Sequence, residues 1–423
     1  MTQPKRFQRK NPYLLLCAVL LLAPVQLWAR DAGHIEHTLL TLDENLTISQ
    51  VVDAALMHSP QQPLAQTYTQ QARDQQYISE RWVIGVPRLN LNYKDDQLMG
   101  DSGLKEAGIG LEFDLWRRKQ RATAKALANH QQQLRDSWQP YLRWQIAGQV
   151  RAMLAQLATI DARVKHSEQN LKDVEALLEI SRKRFRAGDL PESAVLQSEA
   201  LVLEAKQQLQ VAHAEQVDSY RNYSMLTGMD QRPADIGEAP SGLDRISESH
   251  PQLRYLTSER QQKLTELEQS RRRAGGNTTL SVDLFRERGA SGEPMVDSLG
   301  LSVSMPLGGN RYGRASNSTE ALAATQADVE LQQAHRQLQQ QFHEVQHELH
   351  LQQETLAMAN QSARLTERQW QMAKKAFQLG ESDLQPVILA QQHYQQSQLF
   401  LQLQQLRQRA LQASYKQVVG ELP

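Results

Sequence analysis

Val150, Leu157, Val164, Leu171, Leu178, Phe185 and, later, Phe342, Leu349, Leu356, Ala363, Trp370, Phe377 form two apolar ladders with a constant step of seven residues. A seven-residue apolar repeat marks a long helix with one seam against a neighbour. The ladders match rung for rung at an offset of 192 positions, 150 to 342 and 185 to 377. Each runs into the same kind of turn, Phe185-Arg186-Ala187-Gly188-Asp189 and Phe377-Gln378-Leu379-Gly380-Glu381. A duplicated long helix closing in a duplicated glycine turn is a tandem repeat of one helical hairpin.

Working outward, repeat 1 covers 30–227 and repeat 2 covers 249–423, with a Gly-, Pro- and Asp-rich linker at 228–248. Repeat 1 opens at Leu46-Thr47-Ile48, where Thr47 is the expected N-cap of a helix reaching about Trp82, broken near Pro60 and Pro63. Its counterpart starts at Ser249-His250-Pro251 and runs to about Arg273.

The period then changes from helical to two. Leu89, Leu91 and Tyr93 alternate with Asn90 and Asn92, and Leu299, Leu301 and Val303 alternate with Gly300 and Ser302. Such alternation predicts strands with one apolar face, at 87–96 and 106–116 in repeat 1 and at 278–287 and 298–307 in repeat 2. Long helical hairpins follow, 120–227 with a kink expected at Pro140, and 313–419. The long arms are each roughly 100 Å at 1.5 Å per residue. The two shorter helices of repeat 1 add up to about one long arm, so they can stack end to end beside it.

The composition suits thin helices with wetted surfaces: aromatic residues are 6%, and glutamine is abundant between 332 and 412. Residues 1–29 read as a signal peptide: Lys5, Arg6, Arg9 and Lys10, an apolar run from Tyr13 to Ala23, then Leu27-Trp28-Ala29. Its removal takes four basic residues from a chain of net charge zero and leaves an acidic protein, which argues against nucleic-acid binding. The only cysteine, Cys17, lies in this leader behind the bulky Leu16, which speaks against a lipoprotein signal. The processed chain then has no disulfide and no thiolate metal site. After residue 30 no apolar stretch nears the ~20 residues of a membrane helix.

Four strands with one apolar face each need a cover. Either they pack on helices in a soluble protein, or lipid covers them. In lipid, open edges are forbidden and four strands cannot close, so several chains must share one barrel. Three copies would supply twelve strands, an even number in the observed range.

These residues resemble the TolC-like outer-membrane efflux proteins over nearly the whole processed chain. The carriers are the opening from Leu46 to Leu56, the strand end Val303-Ser304-Met305-Pro306-Leu307-Gly308-Gly309, the paired turns at Gly188 and Gly380, and the segments after them, Val195–Glu199 and Val387–Gln391. The resemblance implies a mainly α protein with a small membrane β-barrel part. Its homotrimer would be a 12-stranded β-barrel in outer-membrane lipid, continued by an α-helical barrel in the periplasm. It further implies the exit duct of a tripartite pump, docked on a periplasmic adaptor protein and an inner-membrane efflux transporter. The adaptor contact falls at the helix-turn tips, here Arg186, Gly188, Asp189 and Leu190 with Leu379, Gly380, Glu381 and Ser382. Two departures stand out. Family members often place acidic gate residues in the helix after the second turn, where this chain has Pro386 and Leu389; only Asp383, nearer the turn, suits a gate region. Asp114 also stands where Pro306 stands in repeat 2.

His343-Glu344-Val345-Gln346-His347 matches HExxH, with His350 one turn on. Alone it suggests a metalloprotease. The phase of the ladder at Phe342 turns these histidines outward, and a wetted helix face offers no closed site. No catalytic residue, metal or cofactor is therefore assigned. His343, His347 and His350 remain candidates for transient metal contact in a channel of the heavy-metal branch of the family. The alternative to a duct is a periplasmic coiled-coil adaptor or scaffold, which needs a compact β domain and usually a single hairpin.

Overall fold

The computed structural model describes residues 40–98, 100, 102–307 and 317–423, apart from the side chain of Arg118. The expected signal peptide, Cys17 and the start of the second long helix at 313–316 lie outside the described residues. In order the chain forms β1 (Thr41–Asp43), α1 (Ile48–His58), α2 (Leu64–Glu80), β2 (Val83–Asp95), β3 (Lys105–Leu115), α3 (Arg118–Arg186) and α4 (Glu192–Thr227). Then come β4 (Gln231–Pro233), α5 (Pro251–Arg273), β5 (Thr278–Arg288), β6 (Val296–Ser304), α6 (Ser318–Gln378) and α7 (Leu384–Val419).

Local chemistry explains these limits. Thr47 and Gln50 form a reciprocal capping box at the start of α1, with the Gln50 amide donating to Thr47 Oγ1 at 3.3 Å and the Thr47 amide to Gln50 Oε1 at 2.8 Å. Pro60 and Pro63 separate α1 from α2. α3 runs 69 residues without a break at Pro140. Its neighbours Trp138 and Tyr141 pack on Tyr255, at 5.5 and 4.6 Å between ring centroids.

The main sheet has the order β2-β3-β5-β6, antiparallel throughout, so the two hairpins lie side by side. β2 begins at Val83 rather than at 87. Its register shifts between Ile84 and Arg88, around Gly85 at φ +73° and Pro87. Proline has no donor for the ladder and is tolerated at such an irregularity on an edge strand. A small parallel pairing of β1 with β4 ties the entry segment to the linker.

α3 is the central strut, packed on α1, α2, α4, α5 and α7, while α6 packs on α5 and α7. Nearer the sheet, Val51, Val52 and Ala55 meet Val150, Leu154, Leu157 and Tyr223. Each such fully buried aliphatic side chain contributes roughly 1.5–3 kcal/mol. The linker is pinned by Glu238, almost buried against Arg151 at 2.7 Å with Lys416 at 3.6 Å, and by Arg232 on Asp161. At the turn end, Leu177, Trp370, Phe377, Leu384, Val387 and Ile388 form another apolar cluster. One rung departs from the repeat: Phe377 is fully buried, but Phe185 is 42% exposed.

Candidate functional site

Two features stand at opposite ends of α3 and α6: the sheet and the two turns. In the sheet, the register aligns like residues across all four strands. Leu89, Leu111, Val282 and Leu301 form one row, and Leu91, Ile109, Leu284 and Leu299 the next. Every member of both rows is exposed, from 37% for Val282 to 75% for Leu299. Phe113, Leu280 and Val303 extend the same face. Side chains alternate across a strand, so the other face takes Arg88, Glu112, Ser281 and Ser302, then Asn90, Gly110, Asp283 and Gly300. Here Arg88 bridges Glu112 and Asp114, and Asn90 donates to Glu112 at 3.1 Å. Glycine is needed under the larger side chains: a β-carbon on Gly108 would lie 2.6 Å from the Phe285 ring. One face is thus a continuous apolar sheet and the other a polar lattice.

The turns share one geometry. After α3, the Asp189 amide donates to the Arg184 carbonyl at 2.9 Å, and after α6 the Glu381 amide donates to the Ala376 carbonyl at 2.9 Å. Gly188 and Gly380 sit between at φ +78° and +81°, the left-handed backbone that closes a helix this way. A residue that the sequence reading passed over joins the two tips. Arg184 Nη1 donates to the carbonyls of Phe377 at 3.1 Å and Ser382 at 2.9 Å, Nε donates to Asp189 at 2.7 Å, and the guanidinium lies 4.6 Å from the centre of the Phe377 ring. Its counterpart in repeat 2 is Ala376, and that inequality was the available signal.

Arg186, Gly188, Asp189, Leu379, Gly380 and Glu381 are exposed at the tips. Leu190 and Ser382 are half-buried instead. Leu190 packs on the apolar cluster of the turn end, and Ser382 is half-buried with its carbonyl held by Arg184. Asp383 is exposed at the N-cap of α7, and its side chain makes no capping bond. His343, His347 and His350 are exposed on α6. No group of three or more His, Cys, Asp or Glu among the described residues is arranged to hold a metal ion.

Behind the tips, α3 and α7 meet through polar side chains. Gln391 donates to Asn170 at 2.6 Å and Gln395 to Asp173 at 2.8 Å. Burial along this seam raises the Asp173 carboxyl above its ordinary range and lowers the imidazole of His166 below its own. No described helix is long and apolar enough to cross a membrane.

Among solved structures, the chain is similar to the outer membrane protein VceC from Vibrio cholerae, with 15% identity and a TM-score of 0.70 over 88% of this chain and 96% of that one. It is similar to CusC, whose structures concern folding and transmembrane channel formation, with 12% identity and a TM-score of 0.70 over 90% and 93%. It is also similar to the Campylobacter jejuni outer membrane channel CmeC, with 15% identity and a TM-score of 0.68 over 88% and 85%. No family model and no curated protein sequence matches the chain. The fold is that of the TolC-like outer-membrane channels.

Proposed function

We propose that this chain is the outer-membrane exit duct of a tripartite efflux pump, a passive channel and not an enzyme. Three copies close a twelve-stranded barrel in the outer membrane, and the helices extend it through the periplasm. The tips at Gly188 and Gly380 meet a periplasmic adaptor, and an inner-membrane transporter supplies the driving force. The observation that carries this reading is the exposed apolar face shared by β2, β3, β5 and β6, with both outer edges of the sheet unpaired among the described residues. Such a face and such edges are stable in lipid only as part of a closed barrel. A compact adaptor would bury that face against its own helices.

Membrane fractionation together with planar-bilayer recording tests the reading. The expected result is heat-modifiable protein in the outer-membrane fraction, trimeric in mild detergent, that opens water-filled conductances. A soluble monomer that inserts into no bilayer would overturn it.

A further inference from the structure

The polar face of the sheet carries an aromatic side chain that alternation does not explain. Phe285 stands in the row Asn92, Gly108, Phe285 and Ser298, on the same face as Arg88, Glu112 and Asp283. It is half-buried. A β-carbon on Gly108 would lie 2.6 Å from Cδ1 of the ring, and one on Gly300 would lie 3.3 Å from Cε2. These glycines belong to the strands on either side of β5, so opposite edges of the ring reach over both neighbours. The ring therefore lies along the sheet and turns one π face outward. Covering glycine backbone stabilises a strand, and that accounts for an aromatic here.

It does not account for what flanks the ring. Asp283 and Glu287 stand on the same face of β5, each one two-residue step from Phe285, roughly 7 Å away. Asp283 also lies flat, since a β-carbon on Gly110 would overlap its carboxylate. Glu287 faces a further carboxylate, Glu106, across the β3–β5 pairing. Among the described residues neither the Asp283 nor the Glu287 carboxylate has a hydrogen-bond or ion-pair partner. The bases of this face are engaged elsewhere: Arg88 bridges Glu112 and Asp114, and Lys94 lies 3.8 Å from Glu106.

An open π face between two unpaired carboxylates suits one ligand chemistry. The ring attracts a cation through its quadrupole and offers apolar contact to the cation's substituents. The carboxylates draw positive charge to the same spot and repel anions. A small hydrated cation keeps its water and gains little from the ring, whereas an organic cation with apolar arms gains from both.

We propose, resting on the duct reading, that Phe285 with Asp283 and Glu287 forms a station for lipophilic organic cations in the bore of the barrel. Each copy contributes one such patch. The contact is weak enough to release its occupant, as conduction requires.

Block of single channels in planar bilayers tests the station, with tetraphenylphosphonium as the probe and tetraphenylborate as the anion of like size. The half-blocking concentration is read against each variant's own open conductance. The parent pore is expected to be blocked by the cation and not by the anion. Phe285→Leu still covers the glycines but has no π face, and should raise the half-blocking concentration about two- to thirty-fold. Asp283→Asn/Glu287→Gln should raise it as well, and Phe285→Trp should keep or strengthen the block. If Phe285→Leu fails to assemble, the carboxylate variant decides alone. An open parent pore that the cation does not block, equal block by both ions, or unchanged block in Phe285→Leu or in the carboxylate variant would overturn the station and leave the duct standing. A parent protein that opens no conductance would overturn the duct reading and the station with it.

Discussion

His250 lies against Gly420 so closely that a β-carbon on the glycine would stand 2.8 Å from the imidazole Cδ2. One repeat earlier, a β-carbon on Gly228 would overlap the ring of His58. His58 and His250 are separated by the repeat offset, and so are the two glycines. Gly228 and Gly420 cap α4 and α7 at φ +69° and +90°. Each repeat therefore ends its return helix against a histidine, and glycine there serves both the left-handed backbone and the close approach.

Alanine at these glycines should cost more than alanine at a tip glycine. Gly188 faces open space, so Gly188→Ala carries only the left-handed strain, about 1–2 kcal/mol. Gly420→Ala adds an overpacked contact of roughly 1–3 kcal/mol with a fully buried ring. Thermal denaturation should rank Gly420→Ala clearly below Gly188→Ala, and equal midpoints would refute the packing role.

Acid should loosen the joint at His250. The ring is fully buried, its edge stands 4.9 Å from Trp144, and Nδ1 accepts from the Gln252 amide at 3.2 Å. Burial lowers its pKa to about 4. The unfolded chain takes up this proton near the ordinary value of ~6.5. The contribution is therefore constant above about pH 6.5 and is lost as pH falls toward 4, by about 3 kcal/mol in all. His250→Asn keeps a capping acceptor but cannot titrate. Its melting temperature should fall less than that of the parent between pH 7 and pH 4.5.

Removing the Arg184 clamp should free the second tip from the first. Arg184→Ala loses two bonds to backbone carbonyls and the stacking on Phe377. Charge-assisted bonds of this kind are worth about 1.5–3 kcal/mol each. The expected result is faster proteolytic nicking around 379–383 with little change in the melting of the helices. Unchanged nicking would mean that apolar packing alone holds the tips together.

Neighbouring positions on β6 should respond in opposite ways. Val303 shares the apolar face with Leu280, and Ser302 pairs with Ser281 on the polar face. Val303→Arg should impair membrane assembly by about 2–4 kcal/mol if it sits near the bilayer midplane. Ser302→Arg should assemble and alter only conductance. Similar behaviour of the two variants would show that the faces are wrongly assigned.

At the tips, Glu381→Arg is the clean probe of docking, because Glu381 is exposed and lies beyond the end of α6, while Leu190 packs on the local apolar cluster. Trimer level and resistance to the exported compounds are measured in the same cells. Normal trimer abundance with resistance lost is expected. Full resistance would place the adaptor contact elsewhere.

Much of this architecture was written in local periodicity. Seven-residue ladders mark long helices, period-two runs mark half-exposed strands, and glycine with positive φ marks each turn, because these signals depend only on near neighbours in the chain. The outward placement of His343, His347 and His350 on α6 likewise follows from helical phase. What periodicity could not convey was which copy of a repeated surface finds a partner. Phe185 and Phe377 are equivalent in sequence, yet only Phe377 is fully buried, within an apolar cluster to which Leu177 and Ala194 of the other repeat contribute and with Arg184 over its ring. The three-residue pairing of β1 with β4 and the anchoring of Glu238 by Arg151 left no periodic trace either. His250 against Gly420 joins residues far apart in the chain and is decided by helix lengths and packing. The sequence by itself determined the elements and their duplication, since each rests on local backbone preference and an apolar stripe. Only the tertiary structure decided the asymmetry between equivalent positions, since burial depends on what the rest of the chain brings alongside.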